Sequence, residues 1–239
     1  MTAWPEGFAW VVGGSGGLGA AICEALADAG MDIVLTYRSS RGGAVEVAER
    51  VKAKGRRAEF RQLNLPDGDP GDLEGCRALV FAAGPPVLQA FVSQVDPAHL
   101  ERAISVELQG FVRVVQAALP ALRSSGGSIV ALTSAGLRRH PSGDILSTAP
   151  KAGIESVIRG LAREEGRYGV RANAVGVGVI EAGMFHQLDF DDRWVSVAKE
   201  RIPLGRFGEA RDVGDAVVLA TQAAYLTGQT LWVDGGYTA

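Results

Sequence analysis

A chain of 239 residues, 47% of them hydrophobic, is long enough to bury a sizeable core within one α/β domain. Its 24 Lys and Arg against 27 Asp and Glu leave a formal charge of −3, which gives no electrostatic reason to expect nucleic acid or an anionic membrane as a partner. The two cysteines, Cys23 and Cys76, lie in apolar surroundings and read as reduced core residues. With no basic-then-apolar start and no uninterrupted apolar span of about 18 residues, a cytoplasmic protein without a membrane segment is expected.

The apolar run Phe8–Val12 reads as a first strand, and Ala20–Ala27 as a helix that begins directly after Gly13-Gly14-Ser15-Gly16-Gly17-Leu18-Gly19. A glycine-rich turn between strand and helix lets a pyrophosphate approach the backbone at the positive helix N-terminus, so a nucleotide is predicted there. Gly30 closes the helix and Met31–Tyr37 reads as strand two. A helix follows from about Gly43 to Lys54, then a short third strand, Ala58–Leu65, and the breaker run Pro66–Asp72. Arg77–Ala82 is the fourth strand. Pro97–Arg123 is a long helical pattern with Ile104, Leu108, Phe111, Val112, Val115, Ala118, Leu119 and Leu122 on one broad face. Ser128–Thr133 has the near-continuous apolar character of a strand buried on both faces. A loop to about Ser147 leads into a helix reaching Tyr168, and Val170–Val175 and Thr230–Val233 supply the last two strands. This alternation predicts one Rossmann domain over residues 1–239, a doubly wound parallel sheet of about seven strands with helices on both faces.

Over nearly its whole length the chain resembles the short-chain dehydrogenase/reductase family. Gly13, Gly17 and Gly19 fit the family's TGxxxGxG loop, with Val12 in place of its threonine, and Phe81-Ala82-Ala83-Gly84 lies where the family has NNAG. Ser134 at the end of strand five and Lys151 in Ala149-Pro150-Lys151-Ala152-Gly153 fit the catalytic serine and lysine. Arg171-Ala172-Asn173-Ala174-Val175, Thr227-Gly228-Gln229 and Val233-Asp234-Gly235-Gly236 fit the later motifs. The resemblance implies a dinucleotide held by Gly13, Ser15, Gly16, Gly17, Leu18 and Gly19 at its phosphates and by Tyr37, Arg38 and Ser39 at the adenosine ribose. Asn64, Leu65, Ala82, Ala83 and Gly84 would flank it, with Lys151, Gly178 and Ile180 at the nicotinamide end. It also implies a substrate pocket lined by Ala135-Gly136-Leu137 and Gly183-Met184-Phe185-His186, under a cover carrying Leu188, Phe190 and Trp194. A homodimer or homotetramer through the fourth and fifth helices and the last strand is implied as well.

The departures are as informative as the matches. The family's tyrosine lies four residues before the lysine, one helical turn away, so both side chains face one site; here that position is Ser147. A phenol has a pKa of about 10. An aliphatic hydroxyl is far less acidic and a poor general acid, so Ser147 reads as a space-maker or hydrogen-bond donor in the catalytic set with Ser134 and Lys151. The family's helix-four asparagine, which supports a proton-relay water, falls at Glu107. Val177 replaces the proline before Gly178, Ala182 stands where many members carry threonine, and Asn64 where an aspartate often touches adenine. The short run from Asn64 to Gly84 predicts that the intervening helix is reduced to a loop or one turn. Strand two ends Thr36-Tyr37-Arg38-Ser39-Ser40-Arg41, without the acid an NAD site usually carries. Arg38 can grip a 2′-phosphate bidentately and Ser39 can add a hydroxyl, which favours NADPH/NADP; Gly16 stands where many NADP-using relatives have a second basic residue.

Three readings of function follow. One is an NADPH-dependent ketoreductase whose small-molecule aromatic ketone substrate supplies the proton from a phenol beside its carbonyl, as the pattern resembles atypical ketoreductases of aromatic polyketide antibiotic pathways with angucyclinone-like substrates. Another gives the acid role to His140 or Tyr37. The last is a non-catalytic NADP-binding sensor or assembly subunit.

Overall fold

Each strand sends alternate residues to opposite faces of the sheet, so a strand covered on both sides must be apolar on both. The computed structural model describes residues 6–85, 89–183, 185 and 192–239; Met184, His186, Leu188, Phe190 and the Trp194 side chain lie outside the described residues. The strands are β1 (Phe8–Val12), β2 (Asp32–Tyr37), β3 (Ala58–Gln62), β4 (Cys76–Phe81), β5 (Ser128–Ser134), β6 (Arg171–Val177) and β7 (Thr230–Val233). They form one seven-stranded sheet in the order β3-β2-β1-β4-β5-β6-β7, parallel at every pairing. The chain runs outward from β1 to β3 and then restarts at β4 on the other side. The crevice at the C-terminal ends of β1 and β4 is therefore the topological switch point where ligands of such sheets bind.

On one face Val11, Leu35, Val80, Val130 and Val175 pack against α1 (Gly17–Asp28), α2 (Arg41–Ala53) and α7 (Ala210–Gln222) through Ile22, Leu26, Val47, Val213 and Val217. On the other, Trp10, Leu79, Phe81 and Ile129 meet α4 (Gly110–Ser125) and α5 (Ile145–Glu164) through Phe111, Val115, Leu122, Ile154 and Ile158. Helices α3 (Pro97–Ala103) and α6 (Asp192–Glu200) complete the set. Both cysteines are buried and free, and burial pushes their thiols up, Cys76 to about 12. Among the described residues no helix is long and apolar enough to cross a membrane.

Most element bounds shift by a few residues from those read in the sequence, and the larger differences have physical reasons. β3 stops at Gln62 instead of reaching Leu65, because residues 64–68 close a turn in which the Gly68 amide donates to the Asn64 carbonyl at 2.6 Å. The helical pattern 97–123 is continuous but passes through a π-helical stretch, Ile104–Gln109, between α3 and α4. α5 ends at Glu164, and Gly166–Tyr168 tightens into a 3-10 turn. α6 and α7 carry no counterpart in the sequence reading. The segment between β3 and β4 contains no helix, as its length predicted.

Candidate active site

The glycine loop is shaped by close approaches that leave no room for side chains. Gly13 has a φ of +83°, and a Cβ there would lie 2.8 Å from the Ala83 Cα and amide nitrogen. The Ala82 amide in turn donates to the Val12 carbonyl at 2.9 Å, which draws the end of β4 over the loop. Thr36 at the end of β2 accepts from the Gly13 amide through Oγ1 at 3.0 Å and from the Ser15 amide through its carbonyl. Gly19 packs on the Gly13 carbonyl, and a Cβ on Gly17 would sit 2.6 Å from the Gly183 Cα. Leu18 turns inward onto the core. Gly16 caps α1 in an extended conformation without a side-chain bond, so the N-terminus of α1 faces outward bare. The first N–H groups of a helix lack intrahelical acceptors and carry partial positive charge, which makes this an anion cradle.

At the far side of the cradle, Tyr37 packs its ring on Phe60 at 6.3 Å, and the Arg41 guanidinium lies 5.5 Å over the same ring. Arg38 and Ser39 are exposed, and Arg38 makes no ion pair among the described residues. Gln62 donates to the Arg38 carbonyl at 2.9 Å and Ser40 accepts from the Gly43 amide, so the backbone of this turn is pinned while its two polar side chains are not. Asn64 is exposed, and Leu65 packs on Gly110 of α4.

The other end gathers around β5 and α5. Ser134 ends β5, and its Oγ accepts from the Gly136 amide at 3.0 Å, which leaves its O–H free to donate. Ser147 and Lys151 lie one turn apart on α5. Ser147 is half-buried and its side chain makes no hydrogen bond among the described residues. The Lys151 ammonium donates to Glu107 Oε2 at 2.7 Å. Glu107 stands on the π-helical stretch, is 1% exposed, and leaves Oε1 without a partner. A Cβ on Gly84 would lie 3.5 Å from that oxygen, so the carboxylate adjoins the end of β4. Burial pushes the Glu107 carboxyl up, opposed by the charge and hydrogen bond of Lys151 and aided by Asp144. Asp144, just ahead of α5, is likewise raised by burial, against the pull of Lys151 and His140.

Beyond β6, the Gly178 amide donates to the Val233 carbonyl, and a Cβ on Gly178 would lie 2.7 Å from the Asp234 Cα. The Ile180 side chain is buried in the core against Gly208, so only its main chain is available to a ligand. Phe185 meets Phe207 edge-on at 5.2 Å. Tyr37 ends β2, three strand spacings from the end of β5, roughly 14 Å across the sheet. That distance removes it as an acid for a site at Ser134. His140 is exposed on the loop after β5. Sequence reasoning named Glu107 but not its bond to Lys151, and it missed Asp144. The available signal was an acid three residues after Ile104 and four before Phe111, inside the apolar stripe of its own helix.

Comparison with known proteins bears on this geometry. Residues 71–238 match the enoyl-(acyl carrier protein) reductase family. An uncharacterized oxidoreductase of Bacillus subtilis is 30% identical over 96% of this chain and 98% of its own length. A 3-oxoacyl-acyl-carrier-protein reductase of Staphylococcus epidermidis is 32% identical over 95% of this chain and 97% of its own. The chain belongs to the short-chain dehydrogenase/reductase family. Its fold matches family structure closely: a short-chain dehydrogenase/reductase of Serratia marcescens superposes with a TM-score of 0.88 at 26% identity, covering 100% of both chains. This short-chain dehydrogenase/reductase is an oxidoreductase by that membership, and the cradle lies where the switch point of its sheet requires a ligand.

Proposed function

We propose that the protein is an NADPH-dependent ketoreductase that works without a tyrosine acid, on a bulky, polycyclic aromatic ketone whose own phenol supplies the proton. The observation that carries this reading is Ser147, half-buried one turn before Lys151, with no phenol on that face of α5. The residues present fit a dinucleotide: Gly13, Gly17 and Gly19 exclude side chains from the cradle, and α1 presents its bare N-terminus there. Arg38 and Ser39, exposed at the end of β2 where an NAD site would carry an acid, favour the 2′-phosphate of NADP.

When bound, the reduced nicotinamide supplies the hydride that adds to the carbonyl carbon. Ser134 donates its hydroxyl to the carbonyl oxygen, and Lys151 adds positive potential where alkoxide charge develops. A phenol beside the carbonyl passes its proton to that alkoxide and later regains one from water. A serine in place of a ring also leaves room for a flat substrate of the angucyclinone type made in antibiotic pathways. The test is consumption of NADPH with a phenolic aryl ketone, its O-methyl ether and a simple ketone. Turnover of the phenol alone, lost in Lys151→Ala and nearly unchanged in Ser147→Ala, is expected. Equal turnover of the ether or of the simple ketone overturns substrate assistance, and binding of NADPH without oxidation across the panel identifies a non-catalytic binder instead.

A further inference from the structure

Burying a carboxylate inside an apolar stripe is costly, and a structural role would be served as well by the leucine that the pattern of Ile104, Leu108 and Phe111 invites. Glu107 instead spends one oxygen on Lys151 and leaves the other unpaired against Gly84, at the end of the strand that closes the glycine loop. Lysine has three donors, and Glu107 takes one of the three. The π-helical stretch that carries Glu107 is a distortion found often at functional sites. We propose that Glu107 is a positioning residue: it holds the Lys151 ammonium at the β5–α5 end of the site, ready for the nicotinamide-ribose half of the cofactor, and acts only through that lysine. This rests on the dinucleotide reading above.

The charged groups facing Glu107 are Lys151 on α5 and Asp144 just ahead of it, with His140 behind Asp144 on the loop after β5. Burial lifts the Glu107 carboxyl above the ordinary glutamate range. As pH falls through that raised value the carboxylate takes up a proton and its grip on Lys151 is lost.

The test is calorimetric titration of the full-length protein with NADP and with 2′,5′-ADP, which carries the same 2′-phosphate but no nicotinamide ribose. Glu107→Gln keeps an acceptor but removes the negative charge that holds the ammonium, and is expected to weaken NADP about tenfold and to leave 2′,5′-ADP unchanged. In a Lys151→Ala background the same substitution should change NADP affinity less than about twofold, because the two residues act as one unit. NADP affinity of the unsubstituted protein should fall in mildly acidic solution more steeply than that of Lys151→Ala, and that excess should survive Asp144→Asn. This last arm needs no Glu107 variant to fold. Additive effects of Glu107→Gln and Lys151→Ala, equal losses for both ligands, or NADP binding by Glu107→Gln as tight as or tighter than the unsubstituted protein each overturn the positioning role. A protein that binds neither ligand overturns the dinucleotide reading, and the positioning role with it.

Discussion

Lys151→Met removes the one ion-pair partner that Glu107 has among the described residues, and the carboxylate it strands is 1% exposed with an oxygen already unpaired. Breaking a buried pair from one side costs about 3–5 kcal/mol. For a chain of this length each kcal/mol moves the melting temperature by about 2–4 °C, so a fall of roughly 6–20 °C is expected where Glu107 is ionised. The cost depends on pH with a definite sign. The folded carboxyl of Glu107 lies above its ordinary value, so its contribution to stability is fully present below the unfolded pKa and is lost as pH rises through the folded one. Lys151 is the charge that holds the folded value down, and without it the loss, which begins at the same unfolded value, runs on to higher pH and becomes larger. Melting curves of Lys151→Met should therefore lie close to those of the unsubstituted protein at about pH 5 and diverge from them towards about pH 8. Glu107→Leu combined with Lys151→Met should recover most of the deficit, because a well-packed apolar pair commonly matches or exceeds a buried ion pair. A deficit equal at both pH values, or a double variant no more stable than Lys151→Met, would refute the assignment of a stranded buried charge.

Two further outcomes test the cofactor cradle. Arg38→Ala should weaken NADPH by about 10- to 100-fold while leaving NADH affinity unchanged, as expected for loss of a charged contact to the 2′-phosphate, and equal NADPH affinity in a binding titration would remove Arg38 from the site. Gly17→Ala places a Cβ 2.6 Å from the Gly183 Cα, so one backbone must yield by nearly an ångström. A displacement of that size costs about a hundredfold in rate; unchanged far-UV circular dichroism with a collapsed rate is expected, and an unchanged rate would show that the turn before Gly183 is no part of the working site.

What was legible in the sequence is what local chemistry decides. The spacing of Gly13, Gly17 and Gly19 between an apolar strand and a helix announces the cradle, because Gly13 and Gly19 answer backbone approaches from the neighbouring strand end and from the loop itself; only the approach of Gly183 to Gly17 comes from far along the chain. β1 and β7 sit where their apolar runs put them. α7 escaped notice for a reason visible only in packing. Its Val213, Val217 and Ala220 have helical spacing, but Gly214 in its first turns looks like a breaker; the fold uses that glycine to bring Ala25 of α1 close, with a Cβ there only 2.9 Å from the Ala25 Cβ. The Glu107–Lys151 pair joins residues 44 apart and exists only because α5 lies alongside the π-helical stretch ahead of α4. In the sequence it appears as two unrelated oddities, a serine one turn before a lysine and an acid in an apolar stripe.

In the fold these two oddities meet at the same ammonium group. A lysine of high side-chain entropy needs something to hold it if it is to present its charge in one place. With Ser147 rather than a ring one turn away, α5 itself offers Lys151 no broad polar neighbour, and the grip comes from across the helix pair at Glu107 instead. The serine that offers the lysine no ring and the glutamate that holds its ammonium are thus complementary: what α5 does not supply, the stretch ahead of α4 does.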